Sequence, residues 1–214
     1  MPLTHHKIQS NTPNKIYLAS KSPRRRELLR QVGIEFELLL LRDAAPRGPD
    51  VSEIVLPNER PEAYVARVTL EKANTAWIHM LARKLPIHPV LAADTTVVID
   101  QQILGKPANQ SEAILMLNRL SGRTHHVLTS LSVHIGEESF QYTQTSAVTF
   151  AMLTYEQILA YCSTQEPYDK AGGYGIQGLA ARFISHISGS YSGIMGLPLF
   201  ETTALLRQAG IQLP

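Results

Sequence analysis

The chain is short of several things. It has a single cysteine, Cys162, among 214 residues, so no internal disulfide can form and a reducing, cytoplasmic setting is expected. Aromatic residues make up 7% of it and the formal net charge is only +2. With no stripe of basic and aromatic residues, nothing calls for a nucleic-acid partner. No apolar run approaches the ~20 residues that a bilayer-spanning helix needs, so no membrane partner is expected. Despite 8 histidines, there is no H-E-x-x-H and no paired Cys/His spacing, which argues against zinc. Repeats and low-complexity tracts are also missing. The stretch 1–15 lacks the apolar core of a signal peptide, and residues 1–14 read as a disordered leader.

What is present is ordinary for a folded chain, 44% hydrophobic and 18% charged, with length enough for one large core. The pattern predicts a strand over 15–19 and a helix over about 23–32. Ser22 is its N-cap, Pro23 its first residue and Gly33 its stop. A second strand over 34–41 and a proline-rich loop over 42–60 follow. Pro61 then opens a long amphipathic helix to about Lys84, with Trp77 on its core side. Residues 89–99 read as a buried central strand. A helix over about 110–120 precedes two long strands, roughly 124–135 and 139–152, joined at Gly136-Glu137-Glu138. Thr154 caps a helix reaching about Cys162. A glycine-rich loop over 166–178, a strand over 182–187 and a last helix from about Pro198 complete the chain. This mixture predicts an α/β fold, a mixed, strongly bent β-sheet with helices, in one domain over 15–214 with two lobes around a cleft.

Several motifs tempt and fail. Gly173-Tyr174-Gly175-Ile176-Gln177-Gly178 spells G-x-G-x-x-G, but no strand precedes it and no helix follows it, as a dinucleotide fingerprint requires. Gly105-Lys106-Pro107 has proline where a P-loop needs Ser or Thr. Gly189-Ser190-Tyr191-Ser192-Gly193 has Tyr191 where a nucleophile elbow needs serine. His125 and His126 are neighbours in a strand and face opposite ways.

A different set of residues survives. Strand 15–19 breaks into Ser20-Lys21-Ser22-Pro23-Arg24-Arg25-Arg26. Cations are a poor choice at a helix N-terminus, whose free N–H groups already favour anions, and a bound anion would relieve the conflict. The plain alternative is a solvated surface. Asp94 interrupts an apolar strand, where a carboxylate must be paired, hydrogen-bonded or metal-bound; an ion pair with a nearby Lys or Arg is the structural alternative. Glu53 adds a second carboxylate of the kind Mg²⁺ takes. Lys72, Lys106 and Lys170 add cations from separate segments, although Lys72 alone reads as an exposed helix lysine. Together they suggest a cleft with cations for phosphates and acids for a divalent metal, the equipment of phosphoryl-group chemistry.

Blocks of this chain resemble, in order, those of the Maf family of nucleoside triphosphate pyrophosphatases. They are Leu18 to Leu29, Asp50-Val51-Ser52-Glu53, Glu71-Lys72-Ala73, Ala93 to Val98, Gly105-Lys106-Pro107, Leu120 to His125, Glu166 to Gly178 and Gly189 to Leu199. The resemblance implies an elongated fold with a central cleft, shared with the inosine-triphosphate pyrophosphatases, and a homodimer. It implies hydrolysis of nucleoside triphosphates to monophosphate and pyrophosphate with a divalent cation, Mg²⁺ or Mn²⁺. Asp94 would activate water and, with Glu53, hold the metal. Ser20, Arg25, Lys72 and Lys106 would grip phosphates, with Asp169 and Lys170 as further cleft residues. Arg24, Thr95 and Gln177 match the subgroup acting on dTTP and UTP, in a housecleaning role that extends to modified pyrimidine nucleotides. The stretch 38–49 is longer than the family pattern. Alignment on the preceding strand alone would put Ala45 at the acidic position; Glu53 is preferred because Leu56-Pro57 and Tyr64 then fall into register. The competing readings are a non-catalytic nucleotide-binding regulator of septum formation and a basic RNA-binding protein.

Overall fold

The computed structural model describes residues 15–42 and 48–213. The expected leader over 1–14 and the position of Ala45 lie outside them. The elements, in chain order, are β1 (Lys15–Leu18), α1 (Pro23–Gln31), β2 (Glu35–Leu38), α2 (Pro61–Ala82), β3 (Val90–Ile99), β4 (Gln102–Leu104), α3 (Gln110–Leu120), β5 (Thr124–Ile135), β6 (Glu138–Phe150), α4 (Tyr155–Cys162), β7 (Ile184–Ser188), α5 (Tyr191–Met195) and α6 (Leu199–Gln208). Seven strands form one mixed sheet in the order β2-β1-β3-β5-β6-β7, with β4 on β3. β1 lies parallel to β2 and β3, and the remaining pairs are antiparallel. The expected α/β fold with helices flanking a mixed sheet is what the chain forms.

Local chemistry accounts for most boundaries. The Ser22 hydroxyl accepts from the Arg25 N–H at 3.4 Å and starts α1. Gly33, at φ +70, ends it: the Ile34 N–H reaches back to the Leu29 carbonyl at 3.0 Å, which closes a helix C-terminus through a left-handed residue. That use of Ile34 explains why β2 starts at Glu35, and β2 ends at Leu38 because its partner β1 ends at Leu18, so the strand expected over 34–41 is shorter. The strand expected over 182–187 also starts late. Residues 179–183 form a tight 3-10 turn, because the Glu166 carboxylate accepts from the Leu179 and Ala180 N–H groups at 2.7 and 3.2 Å. Thr154 and Gln157 make a full capping box at α4. The short helix α5 was not anticipated.

Packing divides the sheet cleanly. Tyr17, Ala19, Val90 and Ala92 face α2 through Ala73, Ala76, Trp77 and Met80. Ile16, Leu18, Leu91 and Ala93 face the other way, onto Leu28 and Leu29 of α1 and Leu205 and Leu206 of α6. This is the period-two alternation of a strand buried on both faces. Further along β3, Val97 and Ile99 join a second core with α3 and α4, and Val98 joins Tyr64, Val65 and Val68. Asp94, Thr95 and Thr96 fall at the seam between these clusters on either face.

The seam is held open by a backbone that needs glycine. Gly172, at φ +69, donates its N–H to the Gly105 carbonyl at 2.9 Å, and a Cβ there would lie 3.0 Å from three side-chain carbons of Val97. Gly172→Ala is therefore expected to destabilise the protein by about 1–3 kcal/mol. Gly105→Ala, with nothing within 4 Å of an added Cβ and no positive φ, should change stability by less than about 0.5 kcal/mol. Urea denaturation of both variants checks the pair, and equal losses would contradict it.

Candidate active site

On one side β3 is paired along its length with β5. On the other, β1 pairs only with Val90 and Leu91, and β4 only with residues 97–99. Between those two neighbours the strand edge is bare, just beyond the carboxyl end of β1, where open α/β sheets bind ligands. A cleft of about 760 Å³ opens there. Every site residue singled out from the sequence lines it, although they come from α1, α2, β3 and four loops.

One wall is acidic. Asp94, on the α2 face of β3, is 15% exposed, and the Lys72 ammonium lies 2.7 Å from its Oδ1 and 2.6 Å from Oε1 of Glu53. Burial works against the Lys72 charge, but the attraction of Asp94 and Glu53 outweighs it and holds the pKa above the ordinary lysine value. The ion pair considered as an alternative for Asp94 thus exists, inside the cleft. Glu53 reaches it because its segment is stapled to α2. The Tyr64 hydroxyl donates to the Glu53 carbonyl at 3.1 Å, and Arg67 donates to the Ile54 carbonyl at 3.0 Å and to Glu59 at 2.6 and 2.9 Å. Burial and the charges of Asp94 and Glu53 push the Tyr64 hydroxyl up to about 12, so it stays a neutral donor. Ahead of Glu53 in the chain, Arg42 donates its Nε and Nη2 to Asp50 at 2.8 and 2.6 Å.

The other wall is basic. Arg25 donates its Nε to the Gly196 carbonyl at 2.7 Å, an Nη1 proton to Ser20 Oγ at 3.1 Å and an Nη2 proton to Thr95 Oγ1 at 3.2 Å. Burial pulls its pKa below the ordinary arginine value, yet a guanidinium remains charged. Its hydrogen-bond partners are all neutral. Ser20 is 8% exposed and also accepts from the Ser22 N–H at 3.2 Å. The arginines at the start of α1 divide: Arg25 turns into the cleft, while Arg26 covers the Lys21 and Ser22 carbonyls.

The rim comes from the glycine-rich loop. Arg24 donates to Asp169 Oδ2 at 3.1 Å across the cleft mouth, and Lys170 pairs with the same carboxylate. Burial favours protonation of Asp169, but hydrogen bonds from Lys170 and Arg24 keep its pKa below the usual range. Lys106 and Gln177 are exposed on the rim. Beneath it, buried His125 meets the Tyr174 hydroxyl at 2.7 Å. Burial drives His125 down to about 4, so it is neutral near pH 7.

Oxygen donors of hard cations are available in Glu53 and Asp94, and among the described residues no group of three or more His, Cys, Asp or Glu side chains converges. That set suits an ion that keeps waters and takes phosphate oxygens from its substrate, as Mg²⁺ does. Sequence reasoning missed Thr129, Glu166 and Tyr174. Glu166 and Tyr174 lay within a quoted block but carried no marked role. Thr129 belonged to no motif, and only strand register brings it to Thr95.

Residues 15–209 match the family described as Maf-like protein. A Nitrosomonas europaea protein named dTTP/UTP pyrophosphatase is 50% identical over 198 residues, 92% of this chain and 96% of its own. A Burkholderia pseudomallei protein of the same name is 53% identical over 198 residues, 92% of this chain and 94% of its own. The Ham1 protein of Staphylococcus aureus, a solved structure, overlaps at TM-score 0.47 and 12% identity, over 91% of this chain and 99% of that one.

The staple on the Glu53 segment is pH-dependent. Arg67 and the Leu56 N–H lower the Glu59 pKa from 4.5 to about 2. A depressed carboxylate pKa gives stability that is complete above the unfolded value and lost as pH falls through the folded one. Amide protection over residues 52–60, read by hydrogen exchange and corrected for intrinsic rates, should therefore fall between pH 4.5 and about 2. Glu59→Gln should show low protection there even at neutral pH, and a variant as protected as wild type would refute the staple.

Proposed function

The chain belongs to the Maf-like family, and from that premise we propose that it is a nucleoside triphosphate pyrophosphatase that hydrolyses dTTP and UTP to the monophosphate and pyrophosphate. The observation that carries this reading is Arg25, half-buried, hydrogen-bonded to neutral groups and lining a cleft whose opposite wall holds the Asp94 carboxylate. A cation in that state favours an anionic ligand.

In this reading, a water attacks the α-phosphorus, the bond between α-phosphorus and bridging oxygen breaks, and Asp94 takes the water's proton. Ser20, Arg25, Lys72 and Lys106 stabilise charge on the triphosphate and on the departing pyrophosphate. Glu53 and Asp94 are the proposed ligands for Mg²⁺ or Mn²⁺, which when bound would neutralise charge on the phosphate oxygens. Lys72 offsets one of the two carboxylate charges that would otherwise repel the polyanion. Gln177, whose amide both donates and accepts, suits a pyrimidine edge, with Arg24 and Thr95 completing the specificity set; modified pyrimidine nucleotides fit the same proposal. The non-catalytic regulator is less well supported, because a binding module gains nothing from carboxylates beside its phosphate site. We also propose a homodimer in a reducing, cytoplasmic setting, to be checked by light scattering and by fractionation of cells. Among the described residues no helix is long and apolar enough to cross a membrane.

Pyrophosphate release from dTTP, UTP, CTP, GTP and 7-methyl-GTP, with Mg²⁺ or Mn²⁺ and with chelator, tests the reading. Metal-dependent release from dTTP and UTP is expected; intact binding with no release would favour the regulator. Asp94→Asn should lower turnover by about 10²-fold or more while the melting curve keeps a cooperative native transition, and surviving turnover would remove Asp94 as the base. Substitutions of Gln177 or Arg24 should move the dTTP-to-GTP ratio of kcat/KM, and an unmoved ratio would sink the specificity assignment.

A further inference from the structure

Thr129, fully buried on β5, stands directly across from Thr95 on β3. Its hydroxyl donates to the Gly193 carbonyl at 2.8 Å and lies 3.0 Å from the Thr95 hydroxyl. A hydroxyl has one proton to give. With the Thr129 proton committed to Gly193, the Thr95 proton must point to Thr129. Thr95 Oγ1 then presents its lone pairs to Arg25, whose Nη2 lies 3.2 Å away. The direction of every bond in the series Arg25, Thr95, Thr129, Gly193 is therefore determined. Gly193 and Gly196 both belong to the segment that anchors Arg25, and a Cβ on Gly196 would come within 3.4 Å of Thr95 Oγ1. Three of the five guanidinium protons are consumed by Gly196, Ser20 and Thr95. One proton on each terminal nitrogen is left for phosphate oxygens to accept.

We propose that Thr129, acting through Thr95, is a positioning residue that aims the Arg25 guanidinium at the triphosphate. The proposal rests on the reading of Arg25 as a phosphate-binding residue. It gives Thr95 work that is independent of the base: the chain of hydroxyls sets the affinity for phosphate, whichever nucleoside is attached.

The test compares wild type with Thr129→Val, which keeps the side-chain shape and removes the hydroxyl, and with Thr129→Ser, which keeps the hydroxyl. Calorimetric titration with inorganic tripolyphosphate in metal-free buffer should show about tenfold weaker binding for the valine variant and recovery for the serine variant. In turnover, the valine variant should lower kcat/KM by about tenfold or more for dTTP, UTP and GTP alike, with the dTTP-to-GTP ratio little changed. Thr95→Val, at the less buried cleft wall, is the second variant should Thr129→Val fail to fold, and it should weaken tripolyphosphate binding in the same way. Unchanged tripolyphosphate binding in a folded valine variant overturns the proposal, as does a shift in base ratio without any loss of tripolyphosphate binding. The binding arm needs no turnover, so a protein that released no pyrophosphate from dTTP or UTP would fail the enzymatic reading while weakened or unchanged binding still decided this one.

Discussion

One ammonium group ties the acidic half of the cleft together. Lys72 comes from the middle of α2, Asp94 from the central strand and Glu53 from a loop whose described residues form no strand or helix, and the two carboxylates meet within 2.7 Å of the same nitrogen. Asp94 and Lys72 are both mostly buried, and removing one partner from a buried pair costs about 3–5 kcal/mol. The loop therefore has to bring Glu53 to a place the sheet and helix have already chosen. Tyr64 and Arg67 supply the constraint from the first turns of α2, by gripping the loop's backbone carbonyls rather than Glu53 itself. The carboxylate stays 56% exposed and remains open to other cations.

The opposite wall obeys a different logic, and the alternation of β3 is the reason the two do not cancel. Residues 90, 92 and 94 face α2, while residues 91, 93 and 95 face α1 and α6. Consecutive positions on one strand thus feed a carboxylate to one side and a hydroxyl to the other. Arg25 docks on the hydroxyl side, where carbonyl and hydroxyl oxygens orient it without neutralising it. Had Thr95 been an aspartate, the guanidinium would have found its counter-ion within the protein and lost its pull on an anion. The polar seam also separates the apolar clusters along β3, so the discontinuity that opens the cleft and the groups that line it have one origin.

Much of this was legible in the chain. An acid inside an apolar strand, a serine–proline helix start crowded with arginines, and lysines in separate blocks each violate a local preference, and the violations converge in space. The caps at Ser22, Asn109 and Thr154 are encoded within a few residues, and those helix starts fall where expected. What stayed hidden depends on long-range pairing. The length of β2 is set by the end of β1, not by its own composition. The delay of β7 is set by Glu166, thirteen residues upstream of Leu179, reaching two backbone N–H groups. Thr129 looks like any threonine in a strand until register places it opposite Thr95. Arg24 and Arg25 are adjacent and chemically identical, and only the turn of the helix sends one to the rim and the other to the floor.

That last difference carries an energetic distinction. Arg24 meets an Asp169 carboxylate that is 59% exposed, and a pair so open to solvent contributes only about 0–1 kcal/mol. Glycines at 172 and 173, both at positive φ, turn the loop behind it. Arg25, by contrast, is fastened at three of its nitrogens to the turn after β1, the middle of β3 and the end of α5. A ligand pushing into this cleft meets a rim that yields at little expense and a floor that does not. Groups that must be oriented toward phosphate are best fixed before the ligand arrives, because the ordering entropy has then already been met by folding. Groups at the entrance gain from the opposite arrangement, since a ligand as large as a nucleotide has to pass them. The weak pair and the strong anchor are therefore distributed as the traffic through the cleft requires, from neighbouring residues of a single helical turn.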